Sequence, residues 1–149
     1  MFAASQIVAG IMYVVSTSLI GSPRNIHPES YLTPRPAAAV YQLTQIDSQP
    51  LPVVVCTDAS GATTSVTSGT LDLAAKNKFT LTLNVDKTSG GATTQQVVTQ
   101  HGTYSQKGDA ITFKVPGVGS FTGTISNGVL TVAGYPYCGA THSLTFQQS

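Results

Sequence analysis

From Val40 to Ser149 apolar residues alternate with threonine, serine or glutamine at a period of two, and no stretch sustains a helical period. Successive side chains on a strand point to opposite faces, so this pattern buries one face of each strand and wets the other. The clearest run sets Phe79, Leu81, Leu83 and Val85 against Thr80, Thr82, Asn84 and Asp86. The same parity puts Leu71, Leu73, Ile111, Phe113, Val115, Phe121, Ile125, Leu130, Val132, Leu144 and Phe146 on the buried face.

Turn chemistry separates these runs at intervals of roughly 8–12 residues. Asn127-Gly128 is the strongest signal, because a type I′ hairpin turn needs positive φ at both central positions. Lys76-Asn77-Lys78, Ser89-Gly90-Gly91, Lys107-Gly108-Asp109 and Pro116-Gly117-Val118-Gly119 mark the other breaks. About eight or nine strands joined by short hairpins predict an all-β fold, an antiparallel up-and-down barrel of about eight strands, with a β-sandwich as the rival. Gly69-Thr70-Leu71, Gly102-Thr103-Tyr104 and Gly123-Thr124-Ile125 each place Gly-Thr before a core residue. Glycine weakens a strand interior, so its recurrence points to bends at barrel corners and favours the barrel.

The domain is expected to span 40–149. Before it, 23–39 carries Pro23, Pro28, Pro34 and Pro36 without any periodic pattern, the composition of an extended linker. Residues 1–22 contain an uncharged run from Ile7 to Ile20, as long as the apolar part of a secretory leader and too short for a standard spanning helix. No Lys or Arg precedes that run, and a buried N-terminal element is the alternative. With the leader removed, the mature protein is expected to have no integral membrane span. Cys56 and Cys138 cannot build a four-thiolate metal site. They form either a disulfide, which requires export, or two buried thiols. Closure of a barrel brings the last strand beside the first, which puts Cys138 within plausible reach of Cys56.

Charge narrows the partners. Only 9% of the 149 residues are charged, and seven Lys and Arg against six Asp and Glu leave a formal +1. A nucleic-acid binder needs a basic face and a polybasic membrane anchor needs clustered cations, whereas these are scattered. No nucleic-acid partner and no cofactor are expected.

The strands and turns carry a resemblance. Tyr41-Gln42-Leu43, Leu51-Pro52, Ser68-Gly69-Thr70-Leu71, Phe79-Thr80-Leu81, Gly102-Thr103-Tyr104, Ile111-Thr112-Phe113, Phe121-Thr122-Gly123-Thr124 and Leu144-Thr145-Phe146 together resemble small bacterial lipocalin-like secreted proteins. The resemblance covers Tyr41 to Phe146 and implies an eight-stranded barrel with an open mouth, often holding a small apolar ligand. Gly-Thr-Tyr and Thr-Gly-Thr are also similar to avidin motifs. This chain has no tryptophan, so it lacks both the lipocalin Gly-x-Trp and the tryptophans with which avidins hold biotin.

No motif of nucleophilic, metal or phosphate chemistry occurs, so the protein is read as non-catalytic. Parity turns His101 outward with Thr99 and Thr103, while His142 faces inward with Leu144 and Phe146. Gln100 and Tyr104 share the parity of Val98, and Tyr41 that of Leu43; Val97 has the opposite parity. Tyr41, Gln100, Tyr104 and His142 are therefore the candidate ligand-binding residues, inside walls of Phe79, Leu81, Phe113, Phe121 and Phe146. Two functions follow. One is an exported barrel, secreted or in the periplasm or cell envelope, that binds a small hydrophobic molecule. The other is a filled barrel serving as a structural or protein-interaction module of the envelope.

Overall fold

Each alternating run becomes a strand. The computed structural model describes residues 38–149; the expected leader (1–22) and the expected linker through residue 37 lie outside the described residues. The strands are β1 (Ala39–Ile46), β2 (Gln49–Pro50), β3 (Val53–Thr57), β4 (Thr63–Ala74), β5 (Lys78–Ser89), β6 (Ala92–Lys107), β7 (Ala110–Val115), β8 (Gly119–Ser126), β9 (Val129–Tyr137) and β10 (Ala140–Gln148). A 3-10 turn covers Ala75–Asn77.

From β4 to β10 every strand pairs antiparallel with the next, β10 pairs with β1, and β1 pairs with β4. That last pairing closes an up-and-down barrel of eight strands and sets the sandwich aside. The first strand starts at Ala39, one position before the expected domain boundary. Asn127 and Gly128 have φ of 51° and 78°, as a type I′ turn requires. Among the described residues two short strands lie outside the barrel: β2 folds back on β1, and β3 forms a hairpin with the first residues of β4, Thr63 to Val66.

The glycines of the three Gly-Thr pairs sit where an added Cβ would crowd a neighbouring strand's backbone or side chains. A Cβ on Gly102 would lie 2.1 Å from the carbonyl oxygen of Lys114, and one on Gly123 would lie 2.5 Å from that of Thr131. At Gly69 the nearest atoms are instead the side-chain ends of Leu83 and Leu43, at 2.8 and 3.0 Å. Backbone cannot retreat as a leucine tip can. Gly102→Ala is therefore expected to destabilise by about 3 kcal/mol or more and Gly69→Ala by about 1–2, an ordering that urea unfolding would check.

The interior is filled by rings. Tyr104 packs on Phe113 with centroids 6.5 Å apart, Phe113 on Phe121 at 5.1 Å, Phe121 on Tyr135 at 5.4 Å and Tyr135 on Tyr137 at 6.3 Å. Phe79 meets the same column edge-on, 5.0 Å from Phe113. The column starts at Tyr104, whose hydroxyl donates to the carbonyl of Ala74 beside the 3-10 turn, and ends at Tyr137 beside the β9–β10 turn. It therefore runs from one end of the barrel to the other. Leu43, Leu71, Leu81, Val132, Leu144 and Phe146 pack around it with almost no exposure.

Cys56 on β3 is disulfide-bonded to Cys138 in the β9–β10 turn, with Cα atoms 6.0 Å apart and 82 positions apart in sequence. The bond ties the β3–β4 arm to the last hairpin at the Tyr137 end. Asp58 shapes the arm's turn by accepting from the amides of Ser60 and Ala62.

Candidate functional site

The four residues singled out from the sequence all lie on barrel strands, but in separate places. Tyr41 on β1 and Tyr104 on β6 are both 4% exposed and share the end capped by Ala75–Asn77. Burial pushes the Tyr41 hydroxyl above the usual tyrosine range, and the neighbouring Tyr104 adds to the shift. Gln100, in the middle of β6, is half-buried with its Oε1 enclosed and without a hydrogen-bond partner. His142 lies at the opposite end, at the start of β10. The aromatic column separates it from the tyrosine pair. His101 and Thr103 are exposed, as parity requires, and His101 Nδ1 lies 3.1 Å from the Thr80 hydroxyl.

Around His142 the structure adds two residues that the sequence reading missed. A carboxylate cannot donate, so His142 Nδ1–H donates to Asp47 Oδ2 at 2.7 Å, while Asp47 Oδ1 accepts from the Ser143 amide at 2.7 Å. Asp47 holds this position because Asp47 and Ser48, with φ of 50° and 66°, form the tight turn between β1 and β2. Tyr135 pairs opposite His142. Burial, with Tyr137 beside it, raises the Tyr135 hydroxyl to about 12. Neither Tyr135 OH nor His142 Nε2 has a hydrogen-bond partner among the described residues. Between Ile46, Val66, Leu83, Tyr135, His142 and Leu144 lies a void of about 10 Å³, the size of one water molecule.

The His142 hydrogen bond is the main cause holding the Asp47 carboxyl below its ordinary value of 3.8, and the Ser143 amide is the second. A depressed carboxylate stabilises the fold fully above its unfolded pKa, and that stability is lost as pH falls through the folded value. Wild type should therefore lose stability more steeply than Asp47→Asn below pH about 4. Asp47 is 49% exposed, so the difference should stay under about 1 kcal/mol, to be read from urea midpoints across acid pH.

A second feature lies on the outside. Strand β6 pairs with β5 from Ala92 to Thr103 but with β7 only from Thr103 to Lys107. Where β6 leaves β7, the β7–β8 turn leaves an open groove of about 800 Å³, lined by Lys78, His101, Thr103, Lys114, Val118 and neighbours. The side chains at its border are basic, neutral polar or apolar, and none is acidic.

Among the described residues no three or more His, Cys, Asp or Glu side chains gather into a metal-binding group. Among the same residues no helix is long and apolar enough to cross a membrane. In class the protein is a closed, eight-stranded antiparallel barrel with an aromatic-filled interior and one disulfide-tied end. No protein-family model, curated protein or solved structure matches the chain.

Proposed function

We propose that the protein is an exported, non-catalytic, lipocalin-like barrel that works through its outer surface as a protein-interaction module of the cell envelope. The observation that carries this reading is the continuous ring column from Tyr104 to Tyr137, beside which the interior void at Tyr135 and His142 is only about 10 Å³. A drug-sized ligand needs roughly 300 Å³ or more. The open groove beside β6 offers such space outside the barrel. The Cys56–Cys138 disulfide supports export, because such bonds persist in oxidising compartments.

A second reading, noncovalent binding of a small apolar molecule inside the barrel, has one observation in its favour: Gln100 Oε1, Tyr135 OH and His142 Nε2 are enclosed and unpartnered. An apolar fluorescent probe separates the two. No enhancement with the folded protein supports the outward-facing module. Saturable binding at one site per chain, weakened by Tyr104→Leu but not by His101→Ala, would establish the interior ligand site instead.

A further inference from the structure

We propose that the free edge of β6 pairs antiparallel with the same edge of a second copy of this chain, with Val97 facing Val97 across a two-fold axis. The inference rests on the reading above, that the barrel works through its outer surface.

The edge is long and unguarded. From Ala92 to Gly102 β6 has β5 on one side and no strand on the other among the described residues, so every second residue presents its amide and carbonyl outward. Proteins usually protect such an edge with lysine, proline, a bulge or shortness. Here no proline and no Asp, Glu, Lys or Arg occurs from Ala92 to Gln106, and the pairing with β5 runs without a register shift. A two-fold pairing sets the central side chain against its own copy and each other one against its mirror position, so an edge of one charge would repel itself. This edge carries nothing to repel.

Val97 sets the register. It is 65% exposed, the most exposed of the large apolar side chains among the described residues, on an outer face otherwise polar, chiefly Thr, Gln and Asn, with Asp86 and Lys78 on β5 and His101 on β6. Centring the two-fold on it covers both valines and places Thr99 opposite Gln95 on the same face. That register also brings Ala92 of one copy opposite Gly102 of the other. The β5–β6 hairpin tip, Gly90-Gly91, then arrives beside Thr103, at the mouth of the 800 Å³ groove. The tip is shaped for entry: both glycines have positive φ, 58° and 82°, and a Cβ on either would meet nothing within 4 Å. The length of the free edge and the position of the groove thus agree for a second copy of this chain. An unrelated strand would owe no such agreement.

Sedimentation of the full chain across the micromolar range, with hydrogen exchange at the same concentrations, tests this. Wild type should dimerise, and amides between Ala92 and His101 should gain protection as concentration rises. Val97→Lys should weaken dimerisation at least about tenfold, because it opposes two ammonium groups, and Val97→Glu should do the same. Mixing the two variants should restore the dimer, which a merely misfolded protein could not do. A monomer at every concentration, or a dimer indifferent to both substitutions, would overturn the proposal. A monomer that binds a polyglutamate peptide through Lys78 and Lys114 would overturn self-pairing and leave the outward-facing reading intact. A monomer that holds an apolar probe in its interior would overturn both.

Discussion

Replacing Phe113 with alanine is expected to cost about 4 kcal/mol of folding stability and to open an apolar cavity in the middle of the ring column. Phe113 is fully buried and is the ring on which the column turns, in contact with Phe79, Phe121 and Tyr104. Removing it forfeits the transfer free energy of the ring and leaves a space that strands pinned on both sides cannot collapse to fill. Apolar cavities of that kind stay dry and accept small aromatic molecules. Urea unfolding should show the loss in midpoint with an almost unchanged slope, and benzene should raise the melting temperature of Phe113→Ala but not of wild type. A loss below about 1 kcal/mol would mean that the column is not what holds the barrel.

Replacing both Cys56 and Cys138 by serine should lower stability by up to about 4–5 kcal/mol, the chain-entropy expectation for a long closed loop. The loop here spans 82 positions and includes most of the barrel. Its removal frees the unfolded chain more than it disturbs the folded one, so the pairings of β4 to β10 should survive in the variant. Released instead would be the β3 arm, held otherwise by its hairpin with β4 and by Val53 and Val55 packed on the core. Proteolysis should therefore cut first near Ser60-Gly61 in the serine variant, and unfolding of oxidised against reduced wild type should reproduce the stability difference. Equal stability of the two redox forms would contradict this account.

The sequence makes the strand faces legible wherever one side of the sheet is wet. Along β5 the buried positions are Phe79, Leu81, Leu83 and Val85, the residues the alternation selects. The Asn127-Gly128 turn was legible for an equally local reason, whereas Gly69, Gly102 and Gly123, expected at bends, sit where neighbouring atoms leave no room for a Cβ. What escaped depends on departures from the period. Gly134, with φ of 70°, interrupts β9, so Tyr135 lies inward although parity counted from Val132 turns it outward. The Val53-Val54-Val55 run has no alternation to read, which hid the β3 arm. The adjacent Val97 and Val98 signal a strand leaving the barrel, because two apolar neighbours must face opposite ways and the outward one stays exposed. Among the candidate site residues, parity correctly turned Tyr41, Tyr104 and His142 inward. It says nothing of height along the barrel, so it could not separate the tyrosine pair from His142, nor find Asp47 as the partner of His142 across the β1–β2 turn.

Native mass spectrometry of the protein purified from its source tests the central claim most directly, that the barrel is filled by its own side chains and works from outside. The spectra should show species at the mass of the oxidised mature chain or of whole-number multiples of it, with no noncovalent small-molecule adduct. A stoichiometric small molecule that travels with the folded protein and is released on denaturation would contradict it.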